Sequence, residues 1–127
     1  MQLMTKAIED KLRKNGAVNA LHRMRDGNTE DFKPVVKFFN PCGAATWLIT
    51  EISDEGEDEN GEHDLILFGL CDLGMGEPEL GCVSFNELKS VRLMGGRIGI
   101  ERDIRWAAVT TLSEYARIAR HEGRICA

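Results

Sequence analysis

The segment 65–85, LILFGLCDLGMGEPELGCVSF, decides how this chain folds: two apolar runs flank a turn rich in glycine and carboxylates. β-Branched and aromatic residues in short runs bounded by such a turn are the pattern of a β-hairpin. A hairpin this apolar belongs in the middle of a sheet, and the rest of the chain supplies the strands and helices that cover it.

Upstream, residues 35–39 carry a β-branched and aromatic run, Asn40-Pro41-Cys42-Gly43 is a turn, and residues 46–52 form the next strand. A third strand spans residues 64–71 and a fourth residues 79–84, while Ile98 and Ile100 alternate with glycine and charge in a fifth, residues 97–103. Thr5 is an N-cap for a helix that Gly16 ends near Asn15, and a second helical segment runs from Ala17 to about Arg25. Ser84-Phe85-Asn86-Glu87 and Thr111-Leu112-Ser113-Glu114 have the form of capping boxes, opening a short helix to about Arg92 and a C-terminal helix that Gly123 ends. Leu112, Tyr115, Ala116 and Ala119 share one face of that last helix, and Trp106 anchors the connection before it. The expected fold is α+β: a mostly antiparallel sheet of about five strands with N-terminal, intermediate and C-terminal helices, in a single domain over residues 1–127.

Leu, Ile, Val and Phe supply about a quarter of the 127 residues, enough for a core without disulfides or metal. The four cysteines form no CxxC pair, which favours a reducing cytoplasm. No apolar run has the length of a membrane span, and the N-terminus has a helix pattern rather than that of a signal peptide. The expected localisation is cytoplasmic, with no membrane association.

The net charge of −5 is concentrated in residues 51–64, EISDEGEDENGEHD, which hold eight acids and no Lys or Arg. One acidic loop is a poor match for a DNA mimic, whose acids cover a surface. Nor is it a calcium loop: placing Gly61 at the sixth position puts Gly56 at the first, where an acid is needed. The loop, His63 included, reads as a solvated hairpin tip, and neither cofactor nor metal is expected. Lys11, Arg13, Lys14, Arg23 and Arg25 read as a solvated helix face, since no aromatic residues interleave to stack on bases.

Strand register yields the sharpest functional expectation. A turn centred between Met75 and Gly76 sets Asp72 opposite Glu79, and an acidic loop centred near Asp58 sets Trp47 opposite Gly69 and Glu51 opposite Leu65. Trp47 and Glu51 are then separated by roughly 13 Å along the strand, so Glu51 lies outside any site made by Asp72. Facing carboxylates repel unless a proton, cation or donor neutralises them. Arg102 is the candidate partner, and Trp47, Asp72, Glu79 and Arg102 together make a candidate ligand site. The plainer reading is that Asp72 caps its turn, Glu79 points to water and Arg102 pairs on the surface. No GxSxG, HExxH or phosphate-loop pattern occurs.

The succession DFKPVVKFFNPCGAATWLITE, LFGLCDLGMGEPELGCVSFNELKSVR, IERDIRW and TLSEYARIARHEGRI strongly resembles the bacterial family known as domain of unknown function 2958. The most specific pieces are Thr46-Trp47, Thr50-Glu51, FGL-x-DLG at 68–74, PELG at 78–81 and IERD at 100–103. The resemblance implies an accessory role in the bacterial cytoplasm for a protein of plasmids and other mobile elements, and points to no established activity. Three function classes follow: a non-enzymatic protein that binds a small ligand or a protein partner; an enzyme using Asp72 and Glu79 as general acid and base or as metal ligands; and a counter-defence DNA mimic.

Overall fold

A computed structural model describes residues 1–127. In chain order the elements are α1 (Lys6–Arg25), β1 (Val36–Phe39), β2 (Thr46–Glu57), β3 (His63–Asp72), β4 (Glu79–Ser84), α2 (Phe85–Ser90), β5 (Glu101–Arg102) and α3 (Leu112–Glu122). The five strands form one antiparallel sheet in the order β4-β3-β2-β1-β5, so the hairpin expected at the centre supplies β3 and the edge strand β4. The α+β architecture with three helices is the one the sequence implies.

Apolar side chains pack on both faces of this sheet. Phe38, Trp47, Ile49 and Leu67 lie on one face with Leu12 of α1 and Phe85 and Leu88 of α2. Leu48 and Leu70 lie on the other, beneath Leu112, Tyr115, Ala116 and Ala119 of α3. Trp106 packs against Tyr115 at 6.0 Å between ring centres, as an anchor for its connection.

Helix α1 departs from expectation. It runs unbroken through Gly16 for 20 residues, and the face it buries is Leu12, Asn15, Gly16 and Asn19 rather than an apolar stripe. The reason lies in β2. β1 reaches only as far as Ile49 of β2, which leaves the rest of that strand without a neighbour on this side. α1 covers the open edge: Asn15 Nδ2 donates to the carbonyl of Thr50 at 2.9 Å, and Arg13 makes a two-pronged pair with Glu55 at 3.0 Å. A Cβ on Gly16 would sit 2.0 Å from the carbonyl oxygen of Ile52, so the residue there has no room for a side chain. Glycine is needed for close approach, not to end the helix.

The β2–β3 register also differs, because it shifts after Ile49 and again after Ile52. The extra residues, Thr50 and Ser53, both carry hydroxyls, and each reaches a carbonyl of β3: Thr50 Oγ1 to Phe68 at 3.4 Å, Ser53 Oγ to Ile66 at 3.3 Å. Trp47 consequently faces Cys71, Ile49 faces Gly69 and Glu51 faces Phe68. The acids of the segment 51–64 largely belong to a two-stranded ribbon, whose tip is tied down by Asp58, which accepts from the amides of Asn60 and Glu62 and from Asn86 Nδ2, each at 2.9 Å.

Two smaller expectations need correction. The fifth strand is only Glu101–Arg102; Leu93 and Ile98 instead close a separate small hairpin. Ser84 caps α2 by accepting from the amide of Glu87 at 3.1 Å, but Thr111 makes no side-chain cap to α3. That helix start is held by the segment before β1, where Phe32 O accepts from Leu112 N and Asp31 accepts from Ser113 N. No helix is long and apolar enough to cross a membrane.

Candidate functional site

The turn between β3 and β4 is centred on Met75, with Gly74 and Gly76 both in the left-handed region at φ 83° and 85°. Cys71, not Asp72, therefore stands opposite Glu79. That shift of one residue sends the two carboxylates to opposite faces, because side chains alternate along a strand. Asp72 is buried on the α3 face, where Oδ1 accepts from Gly74 N at 2.8 Å and Oδ2 accepts from Ile125 N at 3.0 Å. Glu79 is exposed on the other face. Arg102 is on β5, three strand spacings or about 14 Å from β3, and its Nε donates to Gln2 O at 3.3 Å. Of the four residues expected to form a site, the structure brings together only Trp47 and Glu79.

These two end a row, Trp47–Cys71–Glu79, that crosses three strands. The row floors a groove of about 400 Å³ beside α2, walled by Leu73, Val83, Leu88 and Val91 and edged by Glu77, Glu79 and Glu87. Burial, with a smaller contribution from Cys82, pushes the Cys71 thiol up to about 11, which leaves it without nucleophilic character near neutrality.

The cleft on the opposite face was not anticipated. It encloses about 520 Å³ between the C-terminal half of α1, residues 29–32, the start of α3, and a sheet wall of Thr50, Glu51, Phe68 and Leu80. Its central feature is Glu51, which is only 2% exposed. In a regular strand Glu51 would share the face of Trp47 and Ile49; the bulge at Thr50 turns it to the other side, opposite Phe68. Asn19 Nδ2 donates to Glu51 Oε1 at 2.8 Å, while the guanidinium of the half-exposed Arg23 stays 3.5 Å from Oε2. Asn19 itself is fixed by Glu30, whose amide donates to Asn19 Oδ1 at 2.7 Å.

At the far wall Asp31 accepts from both the amide and the hydroxyl of Ser113. Burial pushes its carboxyl up, but these bonds, with Thr111, outweigh that and hold it below the usual carboxylate range. Sequence reasoning missed this cleft because its signal was indirect. Thr50-Glu51 was visible as a motif, yet only the bulge brings it beside Phe68 and Leu80.

A third hollow, of about 570 Å³, lies on the other side of α2 and presents three cations, Lys89, Arg92 and Arg97, against one carboxylate, Glu101. No group of His, Cys, Asp and Glu side chains has an arrangement fit to hold a metal ion. Two of the five helix cations read as a solvated stripe are engaged internally, Arg13 with Glu9 and Glu55 and Arg23 with Glu51.

The fold and its cavities define a small α+β protein: an open antiparallel sheet between helices, with a cleft walled by a buried carboxylate. The chain belongs to the family described as "Protein of unknown function (DUF2958)", whose family model matches residues 3–126. No curated protein and no solved structure matches it.

Proposed function

We propose that this protein is a non-enzymatic binding protein that takes a cationic group of its ligand into the cleft against Glu51. The observation that carries this reading is a carboxylate 2% exposed on the wall of a cavity and incompletely compensated. A buried carboxylate costs several kcal/mol unless hydrogen bonds and opposite charge offset it. One oxygen of Glu51 has a good bond from Asn19; the other has only the long contact from Arg23, well beyond the 2.7–2.9 Å of a strong charged pair. An ammonium or guanidinium group entering the cleft completes the set as Arg23 swings outward. Phe32 and Phe68 line the path and suit the apolar stem of such a group.

The cleft also gathers Thr50-Glu51, Phe68 and Leu80, which come from three of the segments that carry the family resemblance. In this reading the protein is an accessory component in the cytoplasm of a bacterium carrying a plasmid or other mobile element. The enzyme alternative built on Asp72 and Glu79 loses its basis, since the sheet separates them. A DNA mimic is not supported either: acids of the one ribbon are engaged within the chain, Glu55 with Arg13 of α1 and with His63, and Asp58 with Asn86 of α2.

The test is thermal unfolding with 1-butylguanidine and with 1-aminobutane, probes that place a guanidinium or an ammonium on an apolar stem. The native midpoint should rise with probe concentration, and Glu51→Gln, nearly isosteric, should abolish the rise while keeping the far-UV circular dichroism spectrum. A midpoint unmoved by both probes, or moved equally in E51Q, overturns the reading.

A further inference from the structure

The face of the sheet opposite the cleft carries α2 as a ridge between two hollows of opposite charge. Phe85 and Lys89, one turn apart on α2, border the basic hollow, and Arg92, just beyond the end of the helix, lines it too. Glu87, Leu88 and Val91 follow the other and border the groove of Trp47 and Glu79. None of Glu77, Glu79 and Glu87 has a basic partner within 4.0 Å, and none of Lys89, Arg92 and Arg97 has an acidic one. Lys89 lies 4.8 Å over the Phe85 ring and Arg92 donates to the carbonyls of Lys89 and Val91, yet neither meets a carboxylate, so charges of opposite sign stay sorted to the two sides of one ridge.

We propose that two copies of this chain associate about a two-fold axis passing over α2, so that each acidic groove faces the basic hollow of the other copy. A two-fold interface must be self-complementary, since the same patch is used twice. Positive and negative hollows placed side by side across one ridge meet that condition, because rotation about the ridge exchanges them.

Apolar groups on the same face supply what charge alone does not. Met94 is 68% exposed at the tip of the Leu93–Ile98 hairpin. Its backbone is held at φ 52°, in the left-handed region that a residue other than glycine rarely adopts. Its exposed thioether, on the hairpin between Arg92 and Arg97 in sequence, is a flexible knob for the other copy's groove, whose wall includes the exposed Leu73 and the buried Leu88. Reciprocal insertion of the two hairpins closes the pair and leaves the Glu51 cleft, on the opposite face, open. The inference is independent of the cleft reading.

Sedimentation equilibrium over a range of concentration and salt tests it. The wild-type protein should be dimeric, with an association that weakens as salt rises. Two charge reversals on exposed side chains, Glu79→Lys with Glu87→Lys and, separately, Lys89→Glu with Arg97→Glu, should each weaken self-association at least about tenfold, because like charges then meet across the interface. Mixing the two variants should restore a heterodimer. Circular dichroism establishes that both remain folded. A wild-type protein monomeric up to its solubility limit, reversals that leave the dimer intact, or folded variants that fail to pair when mixed would each overturn the proposal.

Discussion

Asp72 and Glu79 close the same turn yet lie on opposite faces of the sheet: Glu79 stands across from Cys71, and the Asp72 carboxylate is buried against the amide of Ile125. Asp72 is thus a tether, holding its own turn through Gly74 and the chain end after α3 through Ile125.

Removing this tether has a calculable consequence. Asp72→Ala leaves the buried amide of Ile125 without a partner, at a cost of about 1–3 kcal/mol, whereas Glu79→Ala, at an exposed edge, should change stability by less than about 0.5 kcal/mol. Urea unfolding of the two variants measures the difference. Equal effects would contradict the separate environments.

Gly16 makes a second case, in which helix propensity and packing oppose each other. In an exposed helix interior Gly→Ala is favourable by about 1 kcal/mol. At Gly16 the added methyl meets the Ile52 carbonyl at 2.0 Å, so α1 must move off the edge of β2. Gly16→Ala should therefore destabilise by about 1–3 kcal/mol. Gly56→Ala, where nothing lies within 4 Å of the added methyl, is the control and should be neutral or slightly stabilising. Thermal unfolding of the pair separates the two effects.

Asp31 predicts a pH dependence. Its carboxyl is held below the usual range by Ser113 and Thr111 despite the opposing effect of burial. A carboxyl depressed in the folded state stabilises above its unfolded value, roughly 3.9, and that contribution disappears as pH falls through the lower folded value. The midpoint difference between wild type and Asp31→Asn should be constant near neutrality and close in acid. A difference that persists unchanged into strong acid would show that Asp31 acts only through shape.

The candidate site was legible in pieces. Thr50-Glu51, Phe68 and Leu80 all lie in segments the sequence marks out, and Trp47 and Glu79 line one groove at the two ends of a three-strand row. What failed was the count between them. Each extra residue at Thr50 and Ser53, and the turn centred on Met75 rather than after it, moved side chains to the other face.

The sequence by itself determined which segments become strands and helices, where Ser84 and Gly123 bound them, and that the whole is an antiparallel α+β fold. Those properties follow from local dihedral preference, side-chain periodicity and capping, all of which act within a few residues. Only the tertiary structure decided the register, the use of α1 as an edge cover, and the turn of Glu51 into a cleft. Register depends on a bulge whose hydroxyl must find a carbonyl on a distant strand, and a slip of one residue reverses every face beyond it.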